Sequence, residues 1–199
     1  MKIYDISQPI LSCEIYPGDP SPELRNLSDI GSGDMYNLTA FSMCAHNGTH
    51  IDAPLHFING GKGIGDIPLE KSVGYAYVAK REGKITAAVA LEILEESKLY
   101  FDGQYAKRIL IGGDVTVTND GALTFAEQGI LLIGNESQTV GPKDAPMQTH
   151  LTLLEREIVI LEGIRLGDVP TGRYLLSAAP LNLGKCDGAP CRALLILPD

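Results

Sequence analysis

The sequence predicts an α/β fold in which helices pack on a mixed β-sheet or barrel. Three observations lead to this class. Segments with the composition of strands outnumber those with helical periodicity. Helices alternate with strands only in the middle of the chain, which is typical of a mixed sheet. No internal repeat or composition shift divides the sequence, so we expect one domain spanning residues 1–199.

The first third of the chain is predicted to be largely irregular. Residues 2–7 have the pattern of a strand. Residues 9–33 contain four prolines and three glycines, which favour turns, and such a long irregular segment is often functional. Residues 36–44 alternate well enough for a strand that leads directly into a histidine-rich segment.

Strands and helices then alternate in the middle of the chain. Thr86 is expected to cap the first helix, and Gly129 to end the second. The predicted helices cover residues 87–96, 124–128 and 145–157. The remaining predicted strands cover residues 75–79, 108–112, 130–133, 158–162, 174–183 and 192–197.

The composition argues against several classes of protein. Hydrophobic residues make up 44% and charged residues 21%, as in ordinary globular proteins. The net charge of -9, without a basic cluster, argues against binding nucleic acid or an anionic membrane. Neither a signal peptide nor a membrane-spanning run is recognisable, so we expect a cytoplasmic protein. The four cysteines include no Cys-x-x-Cys pair, so we expect no disulfide framework.

Three of the four histidines fall within twelve residues, at His46, His50 and His56, with Asp52 among them. In an extended segment alternate side chains share one face, so these even-numbered groups would project together. Imidazole and carboxylate are ligands that zinc, manganese and iron accept. A metal site is therefore predicted. A helical metalloprotease motif is not, because the intervening Gly and Thr disfavour a helix and no Glu follows the first His.

Glu162 and the fourth histidine, His150, are further candidates. Glu162 closes an aliphatic run, and a buried carboxylate is costly unless it is paired or bound to metal. From the residues alone, a Glu162 at the strand end facing water is as compatible with the sequence. His150 on a helix is by itself more often a structural or surface residue than a ligand.

The histidine segment reads His-x-Gly-Thr-His-x-Asp-x-Pro-x-His over residues 46–56, and it resembles the signature of the cyclase family of metal-dependent hydrolases. The best-known members of that family are the bacterial kynurenine formamidases. The likeness extends to residues 4–10, 16–19, 149–154, 160–163 and 187–192. It implies a swivelling β/β/α domain that assembles as a homodimer or homotetramer.

The resemblance also implies the chemistry. It is hydrolysis of N-formyl-kynurenine to kynurenine and formate by a metal-activated water, a step of tryptophan catabolism. Two divalent ions, zinc or else manganese, would be bound, and His56 would be the general acid/base. The implied ligands are His46, His50, Asp52, His150 and Glu162, with both carboxylates shared between the ions.

Two departures from the formamidases leave the substrate open. Tyr16 stands where those enzymes have Trp, and we expect it to contact the substrate. Residues 134–140 read Gly-Asn-Glu-Ser-Gln-Thr-Val where those enzymes have Gly-Ile-Asp-Thr-Pro-Ser-Val. The alternatives are another small cyclic or aryl amide, as for the isatin hydrolases, a metal-binding protein without turnover, and a single structural ion.

Overall fold

The computed structural model describes residues 1–198. Its strands in chain order are β1 (Lys2–Asp5), β2 (Glu23–Ser28), β3 (Leu38–Ser42), β4 (His50–Asp52), β5 (Val73–Lys80), β6 (Gly83–Ile85), β7 (Arg108–Gly112), β8 (Val115–Val117), β9 (Leu132–Asn135), β10 (Val159–Glu162), β11 (Gly172–Ser177), β12 (Gly188–Pro190) and β13 (Leu194–Leu197). The helices are α1 (Ala87–Ser97), α2 (Asn119–Glu127) and α3 (Met147–Leu154).

Nine strands form one mixed sheet in the order β1-β13-β11-β5-β7-β9-β10-β4-β12. Strands β5, β7, β9 and β10 run parallel, and the strands on either side of this centre pair antiparallel. The prediction of an α/β fold with a mixed sheet and packed helices is confirmed.

The parallel centre of the sheet is buried on both faces. Along β7, Ile109 and Ile111 pack in a core cluster that includes residues of all three helices. Leu110 points to the opposite face and joins a second cluster. Burial on both faces explains the nearly continuous aliphatic runs of these strands.

The helix boundaries differ from the prediction. Helix α2 begins at Asn119, five residues before the predicted start, because the Thr118 hydroxyl caps it by accepting a hydrogen bond from the Gly121 N–H. Thr86 stands at the N-cap of α1 without a side-chain capping bond, and the Asp120 carboxylate accepts from the Ala87 N–H instead, at 2.9 Å. Helix α3 is shorter than the predicted 145–157. None of the helices within residues 1–198 has the length and hydrophobicity needed to cross a membrane.

The N-terminal third holds the largest difference. The segment predicted as irregular contains β2, which pairs antiparallel with β3 in a separate two-stranded sheet. We call residues 23–42 the arm. Most of its side chains are exposed, among them Leu24 and Phe41, which face each other across the two strands. Strand β3 therefore belongs to the arm and does not run into the histidine segment as predicted.

Candidate metal centre and active site

Strands β4 and β10 bring the two buried carboxylates together. Glu162 lies opposite His50, and Ile160 opposite Asp52, in the antiparallel register. His50, Asp52 and Glu162 consequently share one face of the sheet, while Ile51 points to the core on the other. All three polar side chains are at most 3% exposed. Of the two interpretations of Glu162, the buried one is correct.

The other two histidines of the segment lie outside the strand, so the expectation that His46 shares one extended face with His50 and Asp52 is wrong. His46 lies in a turn before β4, and His56 ends a short 3-10 turn that begins at Pro54. The chain reverses at Gly48, whose φ of +66° favours glycine, and a Cβ there would lie 3.0 Å from Cys13 Cβ. The imidazole of His46 still reaches Asp52, with Nδ1 3.0 Å from Oδ1.

Helix α3 supplies the fourth histidine from across the cavity. His150 Nε2 lies 3.2 Å from Glu162 Oε1 and 3.5 Å from Asp52 Oδ2. The structure thus brings together all of the metal-site and acid/base residues predicted from the sequence, namely His46, His50, Asp52, His56, His150 and Glu162.

Backbone carbonyls orient two of the imidazoles. His50 Nδ1 lies 3.0 Å from the Gly48 carbonyl oxygen, and His150 Nδ1 lies 2.8 Å from that of Pro146. A proton held on Nδ1 in this way leaves Nε2 as the coordinating nitrogen. Both Nε2 atoms face the carboxylates, at 3.2 to 3.5 Å.

A buried carboxylate oxygen also indicates that these residues fit a metal ion. Asp52 Oδ2 is buried and makes no hydrogen bond within the described part of the chain. A buried anionic oxygen without a donor is costly, and a cation would compensate it. Two groups of side chains each bring their ligand atoms within 4.8 Å of one another. One comprises His50, Asp52 and Glu162, and the other His46, Asp52 and His56. Asp52 belongs to both groups, as a carboxylate shared by two ions would.

The two buried carboxylates strongly raise the pKa values of His50 and His150. Burial by itself would lower the pKa of His50, but hydrogen bonds and charge from Asp52 and Glu162 raise it to about 10. The same opposition raises the pKa of His150 to about 9. His56 differs, because its burial, assisted by the neighbouring imidazoles, lowers its pKa below the usual value. Without a metal ion, the centre therefore holds His50 and His150 protonated at neutral pH.

Metal loading is expected to release protons, because coordination requires neutral imidazole. Isothermal titration calorimetry with zinc at pH 7.5, in buffers of different ionisation enthalpy, should show net proton release, and affinity should rise with pH. His150→Ala should release fewer protons. In protein freed of metal by a chelator, the protonated histidines stabilise the fold through the carboxylates, and this contribution is complete below about pH 6.5. That stability is lost as the pH rises through about 9 to 10. Zinc binding without proton release would contradict these shifts.

A cavity of about 390 Å³ opens over the centre. Phe57 lines it and stacks on the His150 ring, with centroids 4.6 Å apart. Tyr16 lies between this cavity and a second one of about 320 Å³, and its hydroxyl donates to the Lys143 carbonyl at 3.3 Å.

Sequence reasoning missed several residues of the site. Gln138 and Thr139 line the cavity, and their side-chain polar atoms are buried without hydrogen-bond partners in the described residues. Both lie in the segment that departs from the formamidases. Asp187 also lines the cavity and bonds to His46 at 2.9 Å. Its signal in the sequence was its position at the start of the closing motif.

The fold and the buried carboxylate–histidine centre are those of a metal-dependent hydrolase. The chain belongs to the Cyclase family, whose model matches residues 4–141. It is 33% identical to a kynurenine formamidase of Salinibacter ruber, over 98% of this chain and 97% of that protein. A kynurenine formamidase of Sphingopyxis alaskensis is also 33% identical, with the same coverage.

Solved structures agree on the fold. A structure described as a potential metal-dependent hydrolase with cyclase activity superposes with a TM-score of 0.78 at 30% identity, covering 98% of this chain and 96% of that one. Isatin hydrolase A from Labrenzia aggregata superposes with a TM-score of 0.82 at 19% identity, covering 100% of this chain and 94% of that one. At that identity the second likeness concerns the fold alone.

Proposed function

We propose that this chain is an arylformamidase that hydrolyses N-formyl-kynurenine to kynurenine and formate. One observation carries the proposal. The histidines and carboxylates of the family signature converge on one buried centre, in a chain one-third identical over nearly its full length to kynurenine formamidases. The test is formate release from N-formyl-kynurenine by the purified, metal-loaded protein.

The proposed cofactors are two divalent ions, zinc or else manganese, held by His46, His50, Asp52, His150 and Glu162. Asp52 and Glu162 each face more than one imidazole, which supports a role between two ions. Such ions lower the pKa of a bound water toward about 7 and polarise a carbonyl oxygen, which is what amide hydrolysis requires.

His56 is the proposed acid/base. Its side chain is 29% exposed at the cavity and its ring stacks on His46, with centroids 4.0 Å apart. Because its pKa is lowered by burial, the imidazole is neutral at neutral pH and can accept a proton. It then delivers that proton to the departing aryl nitrogen, as a general acid.

Aromatic side chains supply the proposed substrate-binding wall. Tyr16 and Phe57 both line the cavity beside the centre. An aryl ring placed against them would bring its formamide group toward the buried carboxylates. Stacking of this kind contributes on the order of 1 kcal/mol.

A second candidate is hydrolysis of another small cyclic or aryl amide, such as isatin. The observation that favours it is Tyr16, which occupies the place of the formamidase Trp and adds a hydroxyl. Assays of N-formyl-kynurenine and isatin with one metal-loaded preparation discriminate the two. Metal binding without turnover of either substrate would instead support a non-catalytic metal-binding protein.

Tyr16→Trp is expected to raise kcat/KM for N-formyl-kynurenine severalfold, because the larger ring offers more stacking surface. Tyr16→Ala should lower kcat/KM about tenfold for any aryl amide, which corresponds to about 1.4 kcal/mol. Steady-state kinetics measure both. Tyr75→Ala is the matched control, because that exposed tyrosine lies outside both the cavity lining and residues 23–42. Unchanged kinetics in both Tyr16 variants would place this residue outside the substrate site.

The exposed arm supports the homodimer or homotetramer that the resemblance implies. A two-stranded hairpin is marginally stable alone, and a run of exposed apolar side chains marks an interaction surface. Phe41 also borders a cavity of about 550 Å³ between the arm and the body of the chain. A second copy of the chain could cover both surfaces in an isologous contact.

Light scattering after size exclusion is expected to give at least twice the monomer mass, and the double variant Leu24→Asp/Phe41→Asp should give a monomer. A charge on each exposed apolar side chain would oppose burial in the interface. Leu99→Asp is the control, since Leu99 is exposed on the body at 84% and outside the arm. A monomeric wild-type protein at micromolar concentration would contradict the proposed assembly.

A further inference from the structure

Asp187 is held beside the centre by the backbone of the sheet. It immediately precedes β12, in which Gly188 pairs with Asp52 of β4. The Asp187 carbonyl accepts a hydrogen bond from the Ala53 N–H at 2.8 Å. Its backbone therefore has a fixed position next to β4, from which the side chain, 43% exposed, reaches the centre.

The imidazole of His46 is oriented differently from the other two buried imidazoles. Those of His50 and His150 place Nδ1 against a backbone carbonyl and turn Nε2 inward. His46 places Nδ1 3.0 Å from Asp52 Oδ1, and its Nε2 lies 2.9 Å from Asp187 Oδ2. Asp187 thus takes the place that a backbone carbonyl takes for the other two. As the acceptor of the Nε2 proton, it leaves Nδ1 as the nitrogen available beside Asp52.

Gly188 makes this arrangement possible. A Cβ on Gly188 would lie 2.6 Å from Cε1 of His46, closer than atoms can approach. The His46 ring therefore lies directly against the backbone of β12. Both the carboxylate and the adjacent glycine shape the position of this one imidazole.

The same carboxylate oxygen also faces the proposed acid/base. Asp187 Oδ2 lies 3.4 Å from Nδ1 of His56, whose ring stacks on His46 at an interplanar angle of 27°. The other oxygen, Oδ1, accepts from the Cys186 thiol at 3.3 Å. One anchored carboxylate thus contacts a proposed ligand and the proposed acid/base together.

We propose that Asp187 is a positioning residue. It fixes His46 with the proton on Nε2 and with Nδ1 toward the ion, and it holds the His56 ring in its stacked position on His46. This inference rests on the proposed metal centre. Carboxylates that orient a ligating histidine in this way typically contribute 10- to 100-fold to metal affinity. The ion beside His46 should depend on Asp187, and the ion beside His150 should not.

Zinc affinity is the first test, measured by competition with a chromophoric chelator on the full chain. Asp187→Ala is expected to weaken one of the two zinc sites 10- to 100-fold and to leave the other unchanged. Asp187→Asn, which keeps an oxygen acceptor, should lose less. Gly188→Ala, which displaces the His46 ring but keeps the carboxylate, should weaken the same site. Asp19→Ala is the matched control for charge, because Asp19 lines the same cavity but belongs to neither candidate ion group.

The second test is ¹⁵N NMR of the imidazoles in the zinc-loaded protein, which a merely structural role would not change. His46 is expected to carry its proton on Nε2 in the wild type and to lose this fixed tautomer in Asp187→Ala. Equal losses of affinity in the Asp187 and Asp19 variants would reduce the effect to charge and overturn the inference. Wild-type affinity of both sites in Asp187→Ala would overturn it too, with the proposed centre intact. A wild-type protein that binds no zinc would instead overturn the proposed centre.

Discussion

Replacing His56 with alanine is expected to lower kcat by about 10²–10⁴-fold, the usual contribution of a positioned proton donor and acceptor. Metal content and fold should stay those of the wild type, because all five proposed ligands remain in the variant. Substrates with better leaving groups should lose less, since their departing atom needs less help from a proton. Elemental analysis and steady-state kinetics on the same preparation measure both quantities.

His46→Ala is the matched comparison for His56→Ala. The two rings stack, but the His46→Ala variant is expected to lose both bound metal and activity. The ligand atoms of His56, His46 and Asp52 lie within 4.8 Å of one another, so the alternative role for His56 is that of a metal ligand. If His56→Ala strips an ion, His56 is a ligand and the division of roles given above is wrong. If it changes neither turnover nor metal content, the residue has no part in the mechanism.

Replacing Asp52 with alanine is expected to remove both ions and to abolish metal-dependent turnover. Asp52 is the one side chain common to both candidate ion groups. The hydrogen bonds from His46 and His50 overcome the opposing effect of burial and hold the pKa of Asp52 well below its usual value. Its loss would leave Glu162 as the one remaining carboxylate for two buried imidazolium groups, those of His50 and His150. The metal-free variant should therefore be destabilised by about 3–5 kcal/mol, as when one partner of a buried pair is removed.

The control for Asp52→Ala is His150→Ala, which should lose one ion preferentially. Denaturant unfolding of protein freed of metal by a chelator measures the free energy of unfolding. Elemental analysis of reconstituted protein measures the number of bound ions. Retention of one ion at full affinity by Asp52→Ala would show that this carboxylate serves a single metal. If the Asp52→Ala variant is as stable as the metal-free wild type, then His50 and His150 are not charged when the Asp52 carboxylate is missing.

The sequence indicated which residues meet at the site better than it indicated the path of the backbone there. His50 and Asp52 share a face because they alternate on a strand, which their spacing indicated. His46 reaches the same place through a turn whose reversal depends on the left-handed conformation of Gly48. Spacing alone could not indicate that reversal, although the clustering of the histidines already indicated His46 as a candidate metal ligand.

Burial and long-range contacts account for the rest of what the sequence could not show. Whether Glu162 faced water or the centre depended on the strands beside it, which local pattern does not specify. Strand β2 lies in the exposed arm, so it lacks the hydrophobic alternation by which buried strands are recognised. Asp187 is distant in sequence from His46 and comes next to it only through the pairing of β12 with β4.

Formate release from N-formyl-kynurenine, followed as one preparation is chelated and then reconstituted with zinc, tests the central claim most directly. Turnover should vanish in the chelated protein and return in proportion to bound zinc, reaching its maximum at two ions per chain. Turnover that persists in the chelated protein, or that reaches its maximum at one ion, would contradict a two-ion hydrolase centred on Asp52.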